Sequence, residues 1–212
     1  MIITKIKRLR GKRQRYTVHL DGVPAFEVSD WTIGKCGLHT GDDLDEPTIG
    51  KIKSAEAETQ AKNTAINYLS YRQRSSKEII DHLTKKGFAH ECAEVVTRQL
   101  QSLRMVNDLE FARAFVRDRL KRKPTGQALL RTQLIAKGIS SSMTDSILDE
   151  LISPQSQQDS ASQAAKRKIR LMQYSKKNLG EEKRKKRLLD FLLRRGFSYE
   201  IAIQTLRTTL DR

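Results

Sequence analysis

Ile79-Ile80-Asp81-His82-Leu83-Thr84-Lys85-Lys86-Gly87-Phe88 is the stretch that decides the fold, because its pattern returns twice further along the chain. An apolar residue, Leu four places on, a cation, Gly, Phe or Ile, and a later apolar residue stand at fixed offsets. The copies are Ile79, Leu83, Lys86, Gly87, Phe88, Cys92; Leu130, Leu134, Lys137, Gly138, Ile139, Met143; and Leu188, Leu192, Arg195, Gly196, Phe197, Ile201. Residues four apart share a helix face. A cation in the last turn complements the negative helix end, and Gly at C′ accepts the left-handed conformation that stops the helix. With Gly87 at C′, Phe88 is C″ and Leu83 is C3, the pair that touches in a Schellman ending. Ile139 with Leu134 and Phe197 with Leu192 repeat the relationship. The motif predicts an array of three similar helical units and carries no chemistry of its own.

Working outward, residues 47–106 read as a first three-helix repeat, 107–152 as a second and 164–212 as a third. The Ser-, Gln- and Asp-rich stretch 153–163 reads as a linker or a polar helix start. In the first repeat a helix runs from around Glu56 to Tyr71. The next opens at Ser75, where Ser75 and Glu78 have the spacing of a capping box. A third runs from about His90 to Leu103. The second repeat has helices over 109–122, 127–137 and 141–151, broken at Pro124 and Gly126. The third has helices over 164–177, 181–195 and 199–210. Residues 1–46 form a small β-rich extension. Tyr16, Val18 and Leu20 alternate with polar residues, Asp21-Gly22 supplies a tight turn, Phe26 and Val28 resume the alternation, and Ile2 to Leu9 supplies another strand. The expected fold is mainly α, with tandem three-helix repeats in an elongated, curved array and a small amino-terminal β meander.

The formal net charge is +16, and it is localised. Residues 1–15 hold seven Lys or Arg and no acid, which places a basic tip at Lys7, Arg8, Arg10, Lys12, Arg13 and Arg15. Residues 164–195 hold thirteen basic and three acidic residues, and the rest of the chain is nearly balanced. Charge placed this way favours a polyanion or an acidic protein surface as partner, against the plain alternative of a solvated helix face. Like charge on these faces opposes self-association at low salt, which points to a monomer. No apolar run reaches membrane-span length and none follows the basic start as in a signal peptide, so the chain is expected in the cytoplasm, with no membrane partner.

Enzymatic chemistry finds little support. Cys36 and Cys92 are far apart without metal spacing, and Cys92 takes an apolar slot that Met143 and Ile201 fill elsewhere. Gly50-Lys51 lacks the rest of a phosphate-binding loop, and His19, His39, His82 and His90 have no partner at triad or metal spacing. Asp42, Asp43, Asp45 and Glu46 precede Pro47, as capping and the helix dipole favour at a helix start. The competing reading is a carboxylate cluster for Mg²⁺ in a nuclease, and it lacks a completing group. No cofactor, metal or catalytic residue is therefore expected. Aromatics are few, so base stacking is not expected to be a main theme. Tyr68 and Tyr71 are placed where they could stack on a base, although Tyr at helical spacing is more often core.

Tyr68-Leu69-Ser70-Tyr71-Arg72-Gln73-Arg74-Ser75-Ser76-Lys77-Glu78, Leu83, Lys86-Gly87-Phe88, Asn107-Asp108, Phe111-Ala112, Gly126, Leu130, Leu134 and Lys137-Gly138-Ile139 together resemble the bacterial regulatory family RecX. Leu38-His39-Thr40-Gly41-Asp42-Asp43-Leu44 is similar to the end of the amino-terminal extension in its longer members. Arg104 stands where the family tends to have Gly. The resemblance implies a noncatalytic regulator that binds the RecA recombinase, usually in the groove of its filament on single-stranded DNA. Such a regulator modulates ATPase, strand exchange and co-protease activity in recombination, DNA repair and the SOS response. Many members restrain RecA and some bind DNA directly, so single-stranded or double-stranded DNA is the expected polyanion.

For the contact residues the repeats offer one pattern. Arg72 and Arg74 lie at the end of a first helix, Arg119, Lys121, Arg122 and Lys123 occupy the same place in the second repeat, and Lys166, Arg167, Lys168 and Arg170 lie on the corresponding helix of the third. This recurrence predicts one continuous basic edge. The alternative is that these cations only complement helix dipoles. A free-standing nucleic-acid binder of helix-turn-helix type is the second functional class, and triplication of the unit speaks against it.

Overall fold

The computed structural model describes residues 1–10, 14–173 and 180–210. Strands β1 (Ile3–Arg8), β2 (Arg15–Leu20) and β3 (Val23–Ser29) form an antiparallel sheet in the order β1-β2-β3. Asp21 and Gly22 turn β2 into β3 with φ of 49° and 85°, the positive pair that a tight hairpin requires. Helix α1 (Asp30–Cys36) follows at once, capped by the Ser29 hydroxyl. Then come α2 (Glu46–Leu69), α3 (Ser76–Lys85), α4 (His90–Ser102), α5 (Asp108–Arg122), α6 (Gln127–Ala136), α7 (Ser141–Leu151), α8 (Pro154–Gln173), α9 (Glu181–Arg194) and α10 (Tyr199–Leu210).

The chain divides into two compact units. Met1–Gln73 with Ile79–Val106 forms one, and Arg74–Glu78 with Asn107–Arg212 forms the other. In the first, the apolar face of the sheet (Ile3, Val18, Leu20, Val28) packs with Leu38, Leu44 and the start of α2 at Ile49 and Ile52. The meander is thus seated on α2, which supplies the packing that three short strands need. Its second core joins Ala61 and Ala65 of α2 to Ile79, Leu83, Ala93, Val96 and Leu100. In the second unit, α5–α7 enclose Phe111, Val116, Leu130, Leu134, Ile147 and Leu148, and α8–α10 enclose Ala161, Ala165, Leu188, Leu192, Phe197 and Ala202.

Each expected helix stop is a Schellman ending. Phe88 donates its amide to the Leu83 carbonyl at 3.2 Å, Ile139 to Leu134 at 3.1 Å and Phe197 to Leu192 at 3.2 Å. Gly87, Gly138 and Gly196 have φ of 94°, 84° and 84°. Helix α4 ends the same way with Arg104 at C′: φ is 57°, its amide donates to Gln101 and the Met105 amide to Leu100. The turn keeps the geometry that Gly would adopt, held by a residue that L-stereochemistry disfavours there.

The structure refines three elements. The helix start expected behind the acidic residues at Pro47 and the helix expected from around Glu56 are one continuous helix, α2, with Asp45 as its cap. Of the two readings of 153–163, a linker or a polar helix start, the second holds: α8 starts at Pro154, with the Ser153 hydroxyl accepting the Ser156 amide at 3.1 Å. Pro at the first helical position behind a Ser cap is favourable, and buried Gln157, Ala161, Ala164 and Ala165 line one face. Helix α1 was not expected at all.

Candidate protein and nucleic-acid interface

Most residues that carry the family resemblance turn out to hold the second unit together. Ser75 and Glu78 form the capping box, with Ser75 N–H to the Glu78 carboxylate at 3.4 Å and Glu78 N–H to the Ser75 hydroxyl at 3.2 Å. The Ser75 hydroxyl donates onward to the Lys137 carbonyl at 2.7 Å, and Lys137 Nζ meets Glu78 at 2.6 Å. Lys137 also lies over the rings of Phe111 and Phe115 at 5.8 and 5.5 Å. Asn107 caps α5 through the amides of Leu109 and Glu110, while the Asp108 carboxylate accepts the Ser76 amide at 2.8 Å. These polar groups, partly buried, satisfy one another.

The cationic cluster of the second repeat rises from a fixed base. Lys123 is extended, Pro124 blocks continuation of α5, and Pro124, Thr125 and Gly126 are buried. Gly126 donates its amide to the Arg195 carbonyl at 2.8 Å and Ala128 to the Gly196 carbonyl at 3.1 Å. On this base Arg119, Lys121, Arg122 and Lys123 are all exposed. They do not share one face. Arg119 and Arg122 are three apart and adjacent, whereas Lys121 is two from Arg119 and turned away. Arg119 lies 5.3 Å from the Phe115 ring centroid, and Arg122 pairs with Asp118 at 2.9 Å in an exposed, readily screened bridge.

Lys166, Arg167 and Arg170 are exposed on the last turns of α8, and half-buried Lys168 lies 5.5 Å from the Phe191 ring. The Gln127 amide donates to the Gln157 side chain at 3.0 Å, which fixes the start of α8 beside α6. Lys166 to Arg170 then stand about 14 to 20 Å further along the helix axis. The two clusters of this unit are separate patches, not one edge. Arg72 is exposed in the first unit, with its guanidinium bonded to the Gln73 carbonyl at 2.9 Å, and Arg74 is half-buried in the second. Within the basic tip, Lys12 and Arg13 lie outside the described residues. Arg15 is taken up by Glu56, so it does not belong to a free basic surface.

Two other features stand outside the predicted contact residues, although the first lies within the basic stretch 164–195. Lys183, Arg184, Lys185, Lys186 and Arg187 are consecutive on the first turns of α9, all exposed except half-buried Lys185, which pairs with Glu181 at 2.7 Å. A rule that looked for the same place in every repeat could not find a run at the start of a middle helix. The second is Glu56, buried at 4 % exposure, whose carboxylate accepts the Ser29 amide and hydroxyl at 2.8 Å each, Thr32 at 2.6 Å and Gln60 at 2.8 Å. Burial pushes this carboxyl up, but the hydrogen bonds outweigh it and hold it below the usual range. No sequence signal marks it, because its partners lie 24 to 41 residues away or one turn on.

For metal chemistry, no group of three or more His, Cys, Asp or Glu side chains is placed to hold an ion among the described residues. Asp45 instead caps α2 through the Thr48 amide at 2.9 Å, and Asp42 accepts the His39 amide at 2.7 Å. The Tyr68 ring stacks on His82 at 3.8 Å, a contact within the fold, whereas Tyr71 is exposed. No helix among the described residues is long and apolar enough to cross a membrane.

Family models for the first and second three-helix domains of RecX match residues 61–100 and 107–148. The chain is similar to the regulatory protein RecX of Bacillus licheniformis, 32% identical over 98% of this chain and 77% of the relative. It is also similar to that of Bacillus subtilis, 34% identical over 94% and 74%. A crystal structure of a regulatory protein RecX superposes with a TM-score of 0.75 at 27% identity, covering 96% of this chain and 98% of the other. That of RecX from Lactobacillus salivarius gives 0.62 at 25% identity over 74% and 98%. Similar to these relatives along nearly its whole length and matched by both three-helix domain models, the chain belongs to the RecX family of regulatory proteins.

Proposed function

We propose that this protein is a noncatalytic regulator of the RecA recombinase that binds the RecA filament on single-stranded DNA and lowers its ATPase and strand-exchange activity. The observation that carries this reading is the run Lys183 to Arg187 at the start of α9. Cations at a helix N terminus oppose the dipole, so they weaken the helix they sit on. Such a run is accounted for by an anionic partner, and the dipole-complement explanation that suits Arg119 to Lys123 cannot apply to it. Arg119, Lys121, Arg122 and Lys123, together with Lys166, Arg167, Lys168 and Arg170, supply further patches on the same unit, with Arg72 and Arg74 as additional contacts. A partner with regularly spaced phosphates and acidic side chains can engage separate patches at once, and its binding weakens with salt.

The test is charge reversal of Lys121, Arg122 and Lys123 to Glu, measured by fluorescence anisotropy on RecA assembled on labelled single-stranded DNA. Affinity falls at least tenfold while the thermal transition is retained. Unchanged affinity removes the α5 cluster from the interface.

A further inference from the structure

The chain's single tryptophan is in the wrong place for a core residue. Trp31 is 66 % exposed on α1, immediately after the sheet. Its backbone is fixed: Ser29 caps α1, the Asp30 carboxylate accepts the Trp31 amide at 2.8 Å, and Thr32 beside it is buried against Glu56. The ring is therefore presented from a rigid mount. It borders two open clefts. One, of about 480 Å³, is lined by Gln14, Arg15, Gln60, Lys62 and Asn63 among others, and the other, of about 570 Å³, by Asp30, Gly34 and Lys35.

The surroundings match one kind of ligand. Lys35 is four residues after Trp31 and so lies on the same helix face, and Lys62 stands across the first cleft. The Asp30 amide donates to the Gln14 carbonyl, which holds the residue just before β2 against the start of α1. Of the acidic groups here, Glu56 is closed off under Arg15, and the exposed Asp30 carboxylate, bonded to the Trp31 amide, is outnumbered by Lys35 and Lys62. An aromatic face flanked by cations, with the side-chain amides of Gln14 and Asn63 lining the first cleft for base edges, is the arrangement by which unpaired bases are held.

We propose that Trp31 is the base-stacking platform of a single-stranded nucleic-acid site on the amino-terminal domain, with Lys35 and Lys62 receiving the flanking phosphates. A base lies on the indole while the backbone runs between the two lysines. Double-stranded DNA, whose bases are already stacked, does not engage the ring. The site is independent of filament binding, and its test uses protein and oligonucleotide alone, so its failure leaves that reading standing.

Because Trp31 is the only tryptophan, its emission reports this site and no other. Titration of the full chain with a thymidine homopolymer quenches the emission saturably, in step with oligonucleotide anisotropy. Trp31→Ala weakens binding roughly five- to a hundredfold, Trp31→Phe restores part of it, and both variants melt like the parent. Three results overturn the proposal: no oligonucleotide binding; binding with unchanged emission and undiminished affinity in Trp31→Ala; or an emission change that requires the recombinase, which assigns Trp31 to a protein contact.

Discussion

The amide of Gly126 donates to the carbonyl of Arg195 at 2.8 Å, so the start of one repeat's middle helix is seated on the glycine stop of the next. Within the same unit, the Ser75 hydroxyl bonds the Lys137 carbonyl of another glycine stop at 2.7 Å. The last-turn cation of the repeat motif thus occupies the docking point as well as the negative end of its own helix. In repeat arrays such nearest-neighbour contacts carry a large part of the stability.

Gly126→Ala tests this docking without a backbone confound, since φ is −79° and ψ 159°, values that any residue adopts. An added Cβ would lie 2.1 Å from the Gly196 carbonyl carbon. The substitution lowers stability by about 3 kcal/mol or more in urea unfolding, at the upper end for overpacking because backbone must move. Gly87→Ala, with φ of 94° but open space, loses only about 1–2 kcal/mol.

The helix stops were legible because each is written locally, in a C3–C″ apolar pair around Gly. The Asp21-Gly22 hairpin and the Ser75–Glu78 box were legible for the same reason. The start of α8 was legible only as one of two readings, because Ser, Gln and Asp have weak preferences and their helix is decided by what Ala161 and Ala165 pack against. At the candidate interface the cations themselves were visible. Their division into holding groups (Arg15, Lys137) and surface groups was not, since it depends on partners such as Glu56 and Glu78 brought in from elsewhere in the chain. One continuous edge was inferred from recurrence along the sequence, but in the second unit Arg119 to Lys123 and Lys166 to Arg170 lie on separate elements.

Arg104→Gly should stabilise the protein. The positive φ of 57° disfavours a side chain by about 1–2 kcal/mol, and the greater freedom of Gly in the unfolded chain offsets roughly 0.5–1 kcal/mol of the relief. A net gain of about 0.5–1 kcal/mol appears as a higher urea midpoint with an unchanged slope.

Ser75→Ala removes both an α3 cap and the bond to Lys137, and lowers stability by about 1–3 kcal/mol. Ser75→Thr keeps the hydroxyl and loses less. Equal losses in the two variants would show that the hydroxyl is not what holds the junction.

Glu56 makes the amino-terminal domain acid-sensitive. Its folded-state pKa lies below the unfolded reference of 4.5, so its contribution is present in full above that reference and is lost as pH falls through the depressed folded value. Glu56→Gln lowers stability at neutral pH by about 1–3 kcal/mol and flattens the acid limb of the stability profile. Hydrogen exchange in β2 and β3 reports the loss locally.

The central claim is regulation of a filament and not simple coating of DNA. Its most direct test is the single-stranded-DNA-dependent ATPase rate of the cognate RecA, with this protein titrated far below the amount that would cover the DNA. A filament regulator lowers the rate at these substoichiometric ratios. No change until the DNA is saturated would contradict it, and would leave a nucleic-acid binder that acts without the recombinase.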